Sequence, residues 1–206
     1  MNGDQHDLLR GSHPTAIFVR LIVASVLLLP LIALFAKPIA IELFPLYRMV
    51  FELITGDFRV LYLGLSYEGA DSVIRMDVTL SRTIAVAGHL VVANAQGIAS
   101  VTTLIGNIFQ PGMVGLIAIM AWPSGSWRSI LLRLIILLLL ALIETIVDIP
   151  LLLAGELWGL FLDNLSPGSW SALTAWADFL QGGGRFVMGL AAAIASIAAS
   201  EYATTP

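Results

Sequence analysis

The chain has 206 residues, is 58% hydrophobic and only 12% charged, and its mean hydropathy is +0.93. Soluble domains carry charge on about a quarter of their residues, so most of this surface must face lipid. The net charge of −4 contains no basic run, which excludes nucleic acid as a partner, and the absence of cysteine excludes disulfides, thiolate metal sites and a cysteine nucleophile.

Residues 1–14 are polar and read as a cytoplasmic tail, disordered or interfacial, holding His6, His13 and Arg10. Residues 15–36 form the first expected transmembrane helix: they are apolar apart from Arg20, which can snorkel to the headgroups, and Pro30 should kink them. A cleaved signal peptide is the rival reading. The stretch is long for that, and Leu34 and Ala36 make a poor cleavage site.

Residues 37–100 are expected outside the cytoplasm. Their first part mixes apolar residues with Glu42, Arg48 and Glu52 and reads as an interfacial helix broken at Pro45. The period then changes to two. Arg75, Asp77, Thr79 and Ser81 alternate with Met76, Val78 and Leu80, and Glu68-Gly69-Ala70-Asp71 is a turn candidate. Two or three short antiparallel strands follow, which need a helix or a partner to pack on.

The second expected span covers residues 101–122, a cytoplasmic loop 123–132, the third span 133–155, an extracytoplasmic loop 156–185, the fourth span 186–200 and a cytoplasmic tail 201–206. Trp122, Trp127, Trp158, Trp170 and Trp176 fall at or just beyond span ends, where amphipathic rings settle. Arg10 and Arg20 flank the first span, and Arg128 and Arg133 occupy the short loop between the second and third. The loop around Glu156, Asp163 and Asp178 has no basic residue before Arg185. Positive charge in short loops stays inside, so both termini are expected in the cytoplasm. The fold class expected is a membrane all-α bundle of four transmembrane helices, with a small extracytoplasmic antiparallel β segment between the first two. No internal repeat supports an inverted-repeat transporter.

An acid at the centre of a membrane helix costs about 2.5–3.5 kcal/mol, so Glu144 and Asp148, one turn apart, should face protein or water. Counting about 1.5 Å per residue along an opposed second helix puts Gln110 at the depth of Glu144, and Asn107 at that of Asp148. Asn107, Gln110, Glu144 and Asp148 are therefore expected as one intramembrane polar cluster. It serves either as interhelical hydrogen bonding or as a proton or ion relay, and packing is the preferred reading.

Gly182-Gly183-Gly184-Arg185 lacks the Lys-Ser/Thr of a phosphate loop and reads as a tight turn into the last helix. Arg185 could pair with Glu156 or with Asp148. In the last helix, Gly189 and Ala193, and Ala192, Ser196 and Ser200, recur every four residues, a packing face or a homodimer face. No histidine pair has metal-ligand spacing, so neither a metal nor a cofactor is expected. His89, in a predicted strand, is no plausible base for a serine nucleophile.

Phe44-Pro45-Leu46-Tyr47-Arg48, Gly56-Asp57-Phe58-Arg59, Asp148-Ile149-Pro150, Gly155-Glu156-Leu157-Trp158 and Gly182-Gly183-Gly184-Arg185 give the chain a further character. With them it resembles the small exosortase H-associated membrane proteins of bacteria. Exosortases are intramembrane cysteine transpeptidase-like enzymes that process C-terminal sorting signals, and a chain without cysteine is not one. The resemblance implies a non-enzymatic accessory protein of the bacterial inner membrane, with an exosortase or another membrane protein as partner and no catalytic residues of its own. A small transport or channel component using Glu144 and Asp148 is the alternative.

Overall fold

The structure is a computed structural model that describes residues 14–94, 96–123 and 126–204. The expected N-terminal tail, with His6, Arg10 and His13, lies outside the described residues except for its last position, as do the final two residues of the C-terminal tail. Three helical stretches are long and apolar enough to cross a membrane: Thr15–Thr55, Trp127–Leu165 and Ala172–Ala203. The chain divides into two compact units. Unit 1 is Met1–Leu34, Gln110–Leu142 and Phe186–Pro206, and unit 2 is Phe35–Phe109 and Ile143–Arg185.

Helix α1, Pro14–Thr55, runs through both units. Pro14 suits a first helical position, where its missing N–H costs nothing. The helix ends at Gly56, whose φ of +51° is the left-handed stop that glycine provides. At 42 residues it is roughly 63 Å long, about twice what a bilayer crossing needs. The break expected at Pro45 does not occur. Proline forfeits one hydrogen bond, but Ala40, Tyr47 and Phe51 share one face and are buried in the core of unit 2, with Leu43 and Phe44 packed beside them. That burial holds the helix through the proline. On the other face Arg48 pairs with Glu52 at 3.0 Å.

Unit 2 contains the sheet. Strands β1 (Phe58–Glu68), β2 (Asp71–Leu80) and β5 (Ala99–Leu104) form an antiparallel sheet in the order β1-β2-β5, and β3 (Ile84–Val86) pairs with β4 (His89–Val91) as a separate hairpin. The expected turn joins β1 to β2: Glu68 pairs with Asp71 around Gly69, at φ +62°. The alternation in β2 holds, since Met76 and Val78 are buried and Arg75 is exposed. His89 lies exposed in β4. The inner face of the sheet packs on Ile149, Leu153 and Leu157, which recur at helical spacing on α3, Trp127–Leu165. Phe58 meets the Trp158 ring edge-on at 6.5 Å.

Residues 101–122 are not one helix, as the sequence suggests. Residues 101–104 belong to β5, Ile105–Ile108 form a 3-10 turn, and only Gln110–Ala121 form a helix, α2. The β-branched Val101-Thr102-Thr103 run finds hydrogen-bond partners along β2, which hydropathy cannot register. The expected loop 156–185 is also largely helical. Helix α3 continues to Leu165, α4 spans Ala172–Phe179, and the π-turn Leu180–Gly184 joins α4 to α5, Arg185–Thr204. Gly183, at φ +111°, makes the tight turn that the glycine run implied.

In unit 1, α2 packs against α3 and α5 through small residues. A Cβ on Gly115 would come within 2.6 Å of Leu137 Cδ1 and 3.0 Å of Gly189 O. Gly189, Ala192, Ala193, Ser196 and Ser200 are all buried, so the small-residue face of the last helix is an internal packing face.

Candidate functional site

Unit 2 carries a cleft of about 650 Å³. One wall is β5, through Ser100, Val101 and Thr102. Successive side chains of a strand point to opposite faces, so a cavity lined by three consecutive residues is not confined to one face of the sheet. Among the described residues, strand β5 is paired with β2 on one side only, so its other edge is free of a sheet neighbour.

The opposite wall is helical. Gly155 and Gly159, four apart on α3, let α4 approach at backbone distance: a Cβ on Gly155 would lie 2.5 Å from Leu173 O and 2.7 Å from Ala177 Cβ. This wall carries Glu156, Asp163 and Asp178, and among the described residues no lysine or arginine lines the cleft. Glu156 is held by Gln181, which donates from Nε2 at 2.7 Å. Trp170, 80% exposed, stands at the rim.

Ser100 ties this edge to the rest of the sheet. Its hydroxyl donates to Asp77 Oδ1 at 2.7 Å, and Arg75 Nε donates to the same oxygen at 2.8 Å. The Arg75 hydrogen bond, with the one from Ser100, holds the Asp77 carboxyl below its usual 3.8 despite partial burial. A depressed carboxylate stabilises the fold above its unfolded value and loses that contribution as pH falls through the folded value. Thermal unfolding in detergent should therefore show an acid-side loss of stability below about pH 4 that is smaller in Asp77→Asn. The effect should be modest, because Arg75 is 45% exposed and water screens the pair.

Arg185 and Asp148 meet elsewhere in unit 2. Arg185 Nε donates to Asp148 Oδ2 at 2.7 Å, and the two side chains are 2% and 1% exposed. Of the two partners open to Arg185, the structure takes Asp148, and Glu156 goes to Gln181. The reason is position: Arg185 opens α5 directly after the Gly183 turn, which brings it to the buried face of α3. Glu144 Oε2, Asp148 Oδ1, Arg185 Nη2 and the Tyr47 hydroxyl are buried with no hydrogen-bond partner among the described residues.

The four-residue polar cluster therefore takes a different form. Asn107 donates to Thr103 Oγ1 at 2.9 Å within its own segment, and Gln110 opens α2 in unit 1. Asn107 and Gln110 do not stand together on one helix, because residues 101–104 are a strand, Ile105–Ile108 a 3-10 turn, and the helix begins only at Gln110. Thr145, not Asn107 or Gln110, joins α3 to this segment, donating to Ile108 O at 3.1 Å. Tyr47 was left out of the expected cluster, and its place on the buried face with Ala40 and Phe51 was a readable signal. Gly155-x3-Gly159 was another. Among the described residues, no three histidine or carboxylate side chains converge as metal ligands. No protein-family model, curated protein or solved structure matches this chain.

Proposed function

We propose that the chain is a non-enzymatic accessory membrane protein that holds an extended segment of a partner polypeptide along the free edge of β5. The observation that carries this is the run of Ser100, Val101 and Thr102 along one cleft. An added strand gains main-chain hydrogen bonds from such an edge, and flanking pockets select its side chains. Glu156, Asp163 and Asp178 favour a segment with lysine or arginine. The topology that suits this role has four crossings of a bacterial inner membrane, with both termini cytoplasmic and the cleft outside. Arg20 and Arg133 line one pocket, which supports their lying on the same membrane side. The resemblance to exosortase H-associated proteins makes a sorting enzyme or its substrate the partner in this reading.

The test uses the purified chain in detergent, the fluorescence of Trp170 with the other tryptophans replaced by phenylalanine, and a panel of ten-residue peptides. A lysine-rich extended peptide should bind. N-methylation of alternate backbone amides should weaken it by about tenfold or more, since each lost hydrogen bond is worth about 0.5–1.5 kcal/mol. Asp163→Asn with Asp178→Asn should weaken it further and reduce its salt dependence. Equal binding of the N-methylated peptide would rule out strand addition, and tighter binding of a glutamate-rich peptide would rule out the acidic selection.

A small transport component is the second reading. It draws on the buried, partly unpartnered polar atoms of Tyr47, Glu144, Asp148 and Arg185.

A further inference from the structure

Unit 1 holds a second cavity, a pocket of about 440 Å³. Arg20 of α1 and Arg133 of α3 both line it, among the apolar side chains of Met120, Ile130 and Leu134 and the ring of Trp122. Arg133 is 3% exposed and firmly held: Nε donates to Ser200 Oγ at 2.9 Å and Nη1 to Pro123 O at 3.3 Å. Its one carboxylate contact among the described residues, Glu201 at 3.4 Å, is 60% exposed and so only partly offsets the buried charge. Arg20 is exposed and has no ion pair among the described residues. Around it, Phe18, Val19 and Ile22 present bare apolar surface.

We infer that this pocket binds the phosphate of an anionic phospholipid. Two arginines lining one pocket suit a phosphate diester: exposed Arg20 can grip it with two parallel hydrogen bonds, and Arg133, whose Nε, Nη1 and Nη2 already donate within the protein, adds positive charge. A free phosphate satisfies the arginines alone. The apolar walls and the exposed α1 surface beside Arg20 need acyl chain as well, and a lipid supplies both. Trp122 belongs at the same level, because indole rings settle where headgroups meet hydrocarbon.

The test is native mass spectrometry of the full chain released from nanodiscs holding equal phosphatidylglycerol and phosphatidylcholine. One phosphatidylglycerol should be retained in clear preference. Arg20→Gln should reduce that preference by about fivefold, the weight of one basic residue at a membrane surface. This variant removes an exposed side chain with no ion pair, so the fold should survive it. Arg128→Gln, an exposed arginine outside the pocket lining, should leave the preference unchanged. Equal retention of both lipids would overturn the assignment. So would an equal loss in the two variants, which would mean general surface charge. Displacement of the lipid by millimolar inorganic phosphate, with no dependence on the acyl chains, would make the site one for free phosphate and overturn the lipid assignment.

Discussion

Asp148→Asn should destabilise the protein by about 3–5 kcal/mol, read as a shift in reversible unfolding in mixed micelles. The substitution keeps the shape of the side chain and removes its charge. Arg185, 2% exposed, is then left buried without its ion-pair partner. Removing both charges should behave differently. Asp148→Leu with Arg185→Met leaves no buried ion, and apolar replacements of buried pairs are often neutral or stabilising by about 1–4 kcal/mol. A wild-type stability for Asp148→Asn alone would mean that the guanidinium reaches water or another partner. The double variant also separates the two functional readings. If it folds but loses ion flux in vesicles, the transport reading gains. If it folds and still binds the extended peptide, the pair is structural and the β5 edge carries the function.

Gly189→Ala should cost about 1–3 kcal/mol, and Gly189→Leu more, because overpacking forces backbone to move. A Cβ at Gly189 would run into the carbonyl of Pro111, whose carbon is 3.0 Å away. Backbone cannot swing aside as the tip of a side chain can. Gly182 gives the contrast. A Cβ there meets nothing within 4 Å and the position has no left-handed φ, so Gly182→Ala should be neutral or stabilise by about 0.4–1 kcal/mol. Equal effects at the two positions, measured by thermal unfolding in one detergent, would refute the close crossing of α2 and α5.

The membrane character and the hairpin were readable because each rests on local pattern. Leucine-rich runs need no partner to declare their solvent, and the alternation from Arg75 to Ser81 puts Met76 and Val78 on one face wherever the strand lies. Gly69 and Gly183 announced their turns because glycine takes positive φ at no steric cost. Small residues at Gly189, Ala192 and Ser196 marked a packing face for the same local reason.

What the tertiary structure decided is which equally apolar segment became which element, and which polar groups met. Residues 101–104 are as hydrophobic as a helix start, but β2 offers them a ladder, and pairing between distant strands leaves no local trace. Pro45 should end a helix on its own, yet burial of Tyr47 and Phe51 outweighs one lost hydrogen bond. Arg185 had two carboxylates in range by sequence, and the turn at Gly183 selected Asp148. The cleft exists only because β5 takes the sheet edge opposite Gly155 and Gly159, a juxtaposition of residues some fifty positions apart. Local physics gave the solvent, the turns and the faces; the long-range contacts, whose cost in chain entropy only the whole fold can offset, gave the register and the site.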